Sequence, residues 1–72
     1  MDDKKRVCIS FIGAGKAGVS LGAYFRSKGL EISGYLSRSR KSAISAAELT
    51  SSKAFTALSD LAAASDIIIV ST

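Results

Sequence analysis

From Val7 to Ile12 apolar residues follow one another almost without a break (Val-Cys-Ile-Ser-Phe-Ile), and the run stops at Gly13. A short stretch rich in β-branched and aromatic side chains, apolar on both alternations, predicts a strand buried on both faces. At Lys16 the period changes. Ala17, Gly18, Leu21, Gly22 and Phe25 fall within about 140° of arc at about 100° per residue, which predicts the inward face of a helix. Lys28 suits the negative end of the helix dipole, and Gly29 suits the left-handed conformation that commonly closes a helix.

The alternation then repeats. Leu30 to Leu36 predicts a second strand, and a second helix is expected from near Ser39 with Ala43, Ile44 and Ala47 inward. Ala54 and Phe55 suggest a very short third strand, followed by a brief helix over Ser59–Ala64 capped by Thr56 or Ser59. Ile67 to Val70, four β-branched residues in a row, predict a fully buried parallel strand. Strands and helices that alternate with short connections require parallel strands and right-handed crossovers. The expected fold is therefore α/β, a parallel sheet of order 3-2-1-4 with flanking helices. It would leave the fourth strand as an exposed apolar edge, an association hazard, so a longer natural protein is expected.

Composition adds limits. The chain has 72 residues, 47% hydrophobic and 22% charged, enough for one domain portion and no more. A chain of this size hides only about 60% of the surface its unfolded form exposes, so marginal stability is expected. No apolar stretch approaches the ~18 to 20 residues of a membrane-spanning helix. The charged start Asp2-Asp3-Lys4-Lys5-Arg6 leads into a strand-like run rather than a cleavable apolar region, which points to the cytoplasm. The one cysteine, Cys8, cannot form an internal disulfide and is expected to be a buried structural thiol. Without histidine or a second cysteine, the usual zinc ligand sets and every His-dependent catalytic arrangement are excluded, and no metal ligands are assigned. The net charge of +4 falls in short clusters with few aromatics, a poor match to a nucleic-acid-binding stripe.

Gly13-Ala14-Gly15-Lys16-Ala17-Gly18 reads G-x-G-x-x-G. Gly13 would permit a tight turn, Gly15 would let the backbone approach a pyrophosphate, and Gly18 would let helix and strand pack closely. The spacing alone is a weak signal. It gains weight from its setting, directly after a predicted strand and opening a predicted helix within a βαβ unit, where backbone N–H groups would face the anion. Gly22 supports the same close-packing face, because a mid-helix glycine costs about 1 kcal/mol relative to alanine. The chain lacks the Lys-Ser/Thr ending of a Walker A loop.

The end of the second strand bears on which cofactor fits. NAD-specific domains place an Asp or Glu there to bind the adenosine ribose. Here that place holds Ser37, within Ser37-Arg38-Ser39-Arg40-Lys41. Three positive charges with interleaved hydroxyls suit a 2′-phosphate, and a bound phosphate would offset the cost of cations at the start of a helix. NADP(H) is therefore expected over NAD(H), with Arg38 as the stacking or phosphate-pairing residue and Ser37 and Ser39 as hydroxyl donors. The missing acid also argues against an S-adenosylmethionine methyltransferase.

At these residues the chain resembles the N-terminal Rossmann domain of the 6-phosphogluconate dehydrogenase-like superfamily, which includes pyrroline-5-carboxylate reductases and hydroxyisobutyrate-type dehydrogenases. The nearest pattern is that of the NADP oxidoreductases with a helical C-terminal domain, from Phe11-Ile12-Gly13-Ala14-Gly15 through Ser37-Arg38-Ser39 to Ser65-Asp66-Ile67. The resemblance implies hydride transfer between NADP(H) and a small-molecule substrate, with residues 1–72 as the front portion of the cofactor domain. It carries over the glycine turn and Ser37-Arg38 as cofactor contacts, adds Ser71 and Thr72 on the nicotinamide side, and implies a homodimer formed through a C-terminal domain absent here. Catalytic residues are not identified. The alternative is a non-catalytic module that senses NADP(H) or NAD(H), and sequence beyond Thr72 would separate the two, because fold alone does not choose.

Overall fold

A computed structural model describes residues 7–71. The elements run β1 (Cys8–Ile12), α1 (Lys16–Ser27), β2 (Glu31–Leu36), α2 (Arg40–Leu49), β3 (Lys53–Ala54), α3 (Leu58–Ala63) and β4 (Ile67–Val70). Their order in the four-stranded sheet is β3-β2-β1-β4, with every pairing parallel. This is the expected Rossmann-like sheet. Since the chain steps in one direction from β1 to β3 and then jumps back past β1, right-handed crossovers put α1 and α2 on one face and α3 on the other.

The larger core lies under α1 and α2, where Ile9, Phe11, Ile32 and Tyr35 pack against Ala43 and Ala46, with Val19, Phe25 and Ile69 around them. Phe11 and Tyr35 occupy paired positions on β1 and β2, and their rings stack 5.0 Å apart. On the other face Phe55 and Leu61 are buried, and Ser33 Oγ donates to the carbonyl of Ala64 (2.7 Å). The register between β1 and β2 slips at Ile9/Ser10, where Ile9 pairs with Ile32 and Ser10 with Gly34, leaving Ser33 as the extra residue of a bulge. Beside it, a Cβ on Gly34 would stand 2.1 Å from the Lys53 carbonyl oxygen and 2.6 Å from the Phe55 ring. β2 and β3 approach this closely only because residue 34 has no side chain.

Several expectations are corrected. Ala17 and Leu21 face outward on α1; its buried positions are Gly18 and Gly22, with Val19 and Phe25 partly covered. On α2 the inward stripe is Ala43, Ala46 and Ala47, followed by buried Thr50, while Ile44 is 41% exposed. Small residues win the inner face because the helix lies close on the sheet. Neither Thr56 nor Ser59 caps α3, whose N-cap is Ala57 without a side-chain bond. Cys8 is half-buried rather than buried. β4 is not fully buried: Ile67 is 47% and Val70 66% exposed, because β4 pairs only with β1 and no described helix covers its outer half. No described helix is long and apolar enough to cross a membrane.

Candidate functional site

Three connections meet at the C-terminal edge of the sheet. The β1–α1 turn starts at Gly13, whose φ of +102° lies in the region that favours glycine. Its N–H donates to the Leu36 carbonyl (2.7 Å), which joins the turn to the end of β2. Ser71, just past β4, donates its N–H to the Ile12 carbonyl (2.9 Å) and its hydroxyl to the Gly13 carbonyl (3.3 Å). A Cβ on Gly18 would lie 2.6 Å from Ser71 Oγ and 3.3 Å from the Gly13 carbonyl oxygen. Gly18 thus lets the turn, the helix and the end of β4 close on one another.

Gly15 is different. It is the N-cap of α1 with an ordinary φ of −80°, and a Cβ built there would meet nothing within 4 Å. Neither backbone conformation nor packing asks for a glycine at this position. Above it α1 begins with no side-chain cap and no acidic residue in its first turn. The first amides of a helix have no intrahelical acceptor, and they carry the positive end of the helix dipole. Lys16 and Ala17, the first two helical residues, are exposed, and Ala14 packs inward against the core.

A groove of about 740 Å³ opens beside the turn, lined by Ile12, Gly13, Leu36, Ser37 and Arg38. That size is ordinary for a small-molecule or cofactor site. Ile12 and Leu36, the last residues of β1 and β2, form an apolar floor that the sequence pattern marks only as strand. Ser37 Oγ accepts the N–H of Ser39 (3.3 Å), and Ser39 Oγ accepts the N–H of Ser42 (3.2 Å) as the N-cap of α2. Among the described residues neither hydroxyl donates a hydrogen bond, though Ser39 does not line the groove. Arg38 is exposed, and no hydrogen bond or ion pair holds its side chain among the described residues.

The three cations of Ser37–Lys41 do not share one place. Arg40 turns back, and its Nη1 donates to the carbonyls of Ala54 (3.1 Å) and Phe55 (3.4 Å). It ties the start of α2 to β3. Only Arg38 lines the groove, and Lys41 remains exposed on the first turn of α2. Thr72 lies outside the described residues, as does the charged start at residues 2–6. Among the described residues no cluster of three or more His, Cys, Asp or Glu could hold a metal ion.

Comparison with known proteins bears on the family and the fold. The family model described as NADP oxidoreductase, coenzyme F420-dependent, matches residues 8–72. No curated protein matches the chain. Among solved structures, UDP-N-acetylglucosamine 3-dehydrogenase GnnA from Acidithiobacillus ferrooxidans superposes with a TM-score of 0.80 over 96% of this chain, at 20% identity. At that identity the likeness concerns the fold. The chain spans 22% of the length of that dehydrogenase.

Proposed function

Because the chain belongs to the NADP oxidoreductase, coenzyme F420-dependent, family, we propose that it is the front portion of a cofactor domain that binds NADP(H) in preference to NAD(H), in an enzyme that moves hydride to or from a small substrate. The observation that carries this reading is Gly15. The protein's own packing leaves the space above it open, yet the residue is glycine, and it caps a helix whose first amides no side chain satisfies. A pyrophosphate laid against that backbone accounts for both facts, since it needs the missing Cβ and supplies the missing acceptors.

In this reading Gly13 to Gly18 hold the pyrophosphate, with Lys16 adding positive charge at the entrance. The adenosine lies along the groove over Ile12 and Leu36. Ser37 and Arg38 meet the 2′-phosphate, supported by the absence of any acid at the end of β2 and by an arginine with no other described partner. Ser39 acts from behind, fixing the turn by capping α2. Ser71, already packed on Gly13, borders the side toward the nicotinamide. When bound, the nicotinamide supplies or accepts the hydride. These residues supply binding and orientation, and the groups that hold substrate and move its proton are assigned to other parts of the protein.

Isothermal titration of the folded chain with NADPH and then NADH tests the reading. Tighter binding of NADPH, by tenfold or more, is expected from one charge-assisted phosphate contact, roughly 1.5 to 3 kcal/mol. Equal affinity would remove the assignment of Arg38, and binding of neither would remove the cofactor.

A further inference from the structure

Resting on that dinucleotide reading, we propose that Tyr35 is a positioning residue that holds the glycine turn and the end of β2 at the separation a dinucleotide requires, acting through Gly18 and touching no ligand itself. Tyr35 is fully buried, and its hydroxyl donates to the carbonyl of Gly18 at 3.1 Å. Gly18 is the third glycine of the turn, in the first turn of α1. The residues that follow Tyr35 are Leu36, Ser37 and Arg38, which line the adenosine groove. One side chain therefore spans the two halves of the site.

Helix α1 does not need this bond, because an interior helical carbonyl already accepts from the amide four residues on. The arrangement carries a cost that shows in the sequence. A Cβ on residue 22 would stand 2.1 Å from the tyrosine hydroxyl, so α1 keeps a glycine at its middle, the residue least suited there apart from proline. Phenylalanine at 35 would preserve the stack on Phe11 and remove the closest obstacle to alanine at 22. Thr50 closes the other side: its methyl lies 3.3 Å from the same point, and its own hydroxyl is fixed on the Ala46 carbonyl at 2.9 Å. Among the described residues the tyrosine hydroxyl donates to the Gly18 carbonyl, in the glycine turn.

The test uses three variants of the full chain, Tyr35→Phe, Gly22→Ala and the double variant, each followed by thermal unfolding and by titration with NADPH and with adenosine 2′-monophosphate. Without the hydroxyl, the nearest atoms to a Cβ at 22 are the Thr50 methyl at 3.3 Å and a ring carbon at 3.4 Å, so a shift of a few tenths of an ångström admits it, and the double variant is expected to fold and to melt near the wild-type temperature. Tyr35→Phe should weaken NADPH roughly two- to tenfold, the range set by the net worth of one neutral hydrogen bond. Adenosine 2′-monophosphate, which engages only the end of β2, should bind unchanged. The double variant should regain stability while its NADPH affinity stays low. If affinity returns with stability, or Tyr35→Phe binds NADPH as tightly as wild type, Tyr35 has no positioning role. A wild-type chain that binds no dinucleotide instead overturns the cofactor reading, and this role with it.

Discussion

Gly15→Ala separates the fold from the site more sharply than any other substitution. The backbone at residue 15, φ −80° and ψ −177°, is extended and open to any L-residue, and the new methyl meets no atom within 4 Å. Replacing glycine removes freedom from the unfolded chain and should stabilise by about 0.4 to 1 kcal/mol. Alanine is a poorer N-cap than glycine, which costs roughly the same. The two nearly cancel. For a domain of this size a residual 1 kcal/mol shifts the melting temperature by only about 4 to 8 °C. The ligand faces the opposite situation, because the methyl occupies the ground where a phosphate would lie and separates it from the first amides of α1. Losing one charge-assisted bond there costs about 1.5 to 3 kcal/mol, or roughly 10- to 150-fold in affinity. Differential scanning fluorimetry and NADPH titration read the two quantities on the same sample. NADH should weaken in parallel, since both cofactors share the pyrophosphate. A folded Gly15→Ala chain that binds NADPH within twofold of wild type would refute the assignment of the glycine turn.

Other substitutions report on separate parts of the account. Arg38→Ala should cost roughly 1.5 to 3 kcal/mol in NADPH binding and leave NADH nearly unchanged, measured by calorimetry; equal loss for both would sink its phosphate role. Gly34→Ala drives a methyl to 2.1 Å from the Lys53 carbonyl, so β2 and β3 must separate, and urea unfolding should show a loss of about 1 to 3 kcal/mol or more. Burial raises the Tyr35 phenol above its ordinary value of about 10, with the Thr50 hydrogen bond opposing the rise. A raised folded-state value means its contribution is fully present below pH of about 10 and declines as pH rises through the folded value, because the unfolded chain then gives up the proton first. Tyr35→Phe should flatten that alkaline fall, and an unchanged pH profile would contradict the burial argument.

What could be read from the sequence was what depends on neighbours along the chain. The change of period at Lys16, the glycine turn and the cap at Ser39 are local, and the elements they mark lie within a residue or two of their expected bounds. Facing was harder to read. Ile44 is more apolar than Ala46, yet the alanine is inside, because a helix close to a sheet selects for small volume as well as apolarity. Four β-branched residues at 67–70 look alike at the centre or edge of a sheet, and the edge position of β4 follows instead from the 3-2-1-4 order that the alternation of elements predicts. Within the candidate site, Ser37 and Arg38 could be read from their distance to the glycines. That Arg40 turns back to the backbone of β3 could not be read, since its partners Ala54 and Phe55 lie 14 and 15 residues away. Gly22 signalled that something crowds α1, but nothing local named Tyr35 as the cause.

The central claim is that a dinucleotide lies across the C-terminal edge of the sheet with its pyrophosphate on the start of α1. The most direct measurement is amide chemical-shift mapping of the labelled chain during titration with NADPH. The account predicts the largest changes at Gly13, Gly15 to Gly18, Ser37 and Arg38, with little change in the groove at the opposite end of the sheet lined by Arg26, Gly29 and Ser51. Shifts concentrated at that opposite end, or none at Gly15 to Gly18 under saturation, would contradict it.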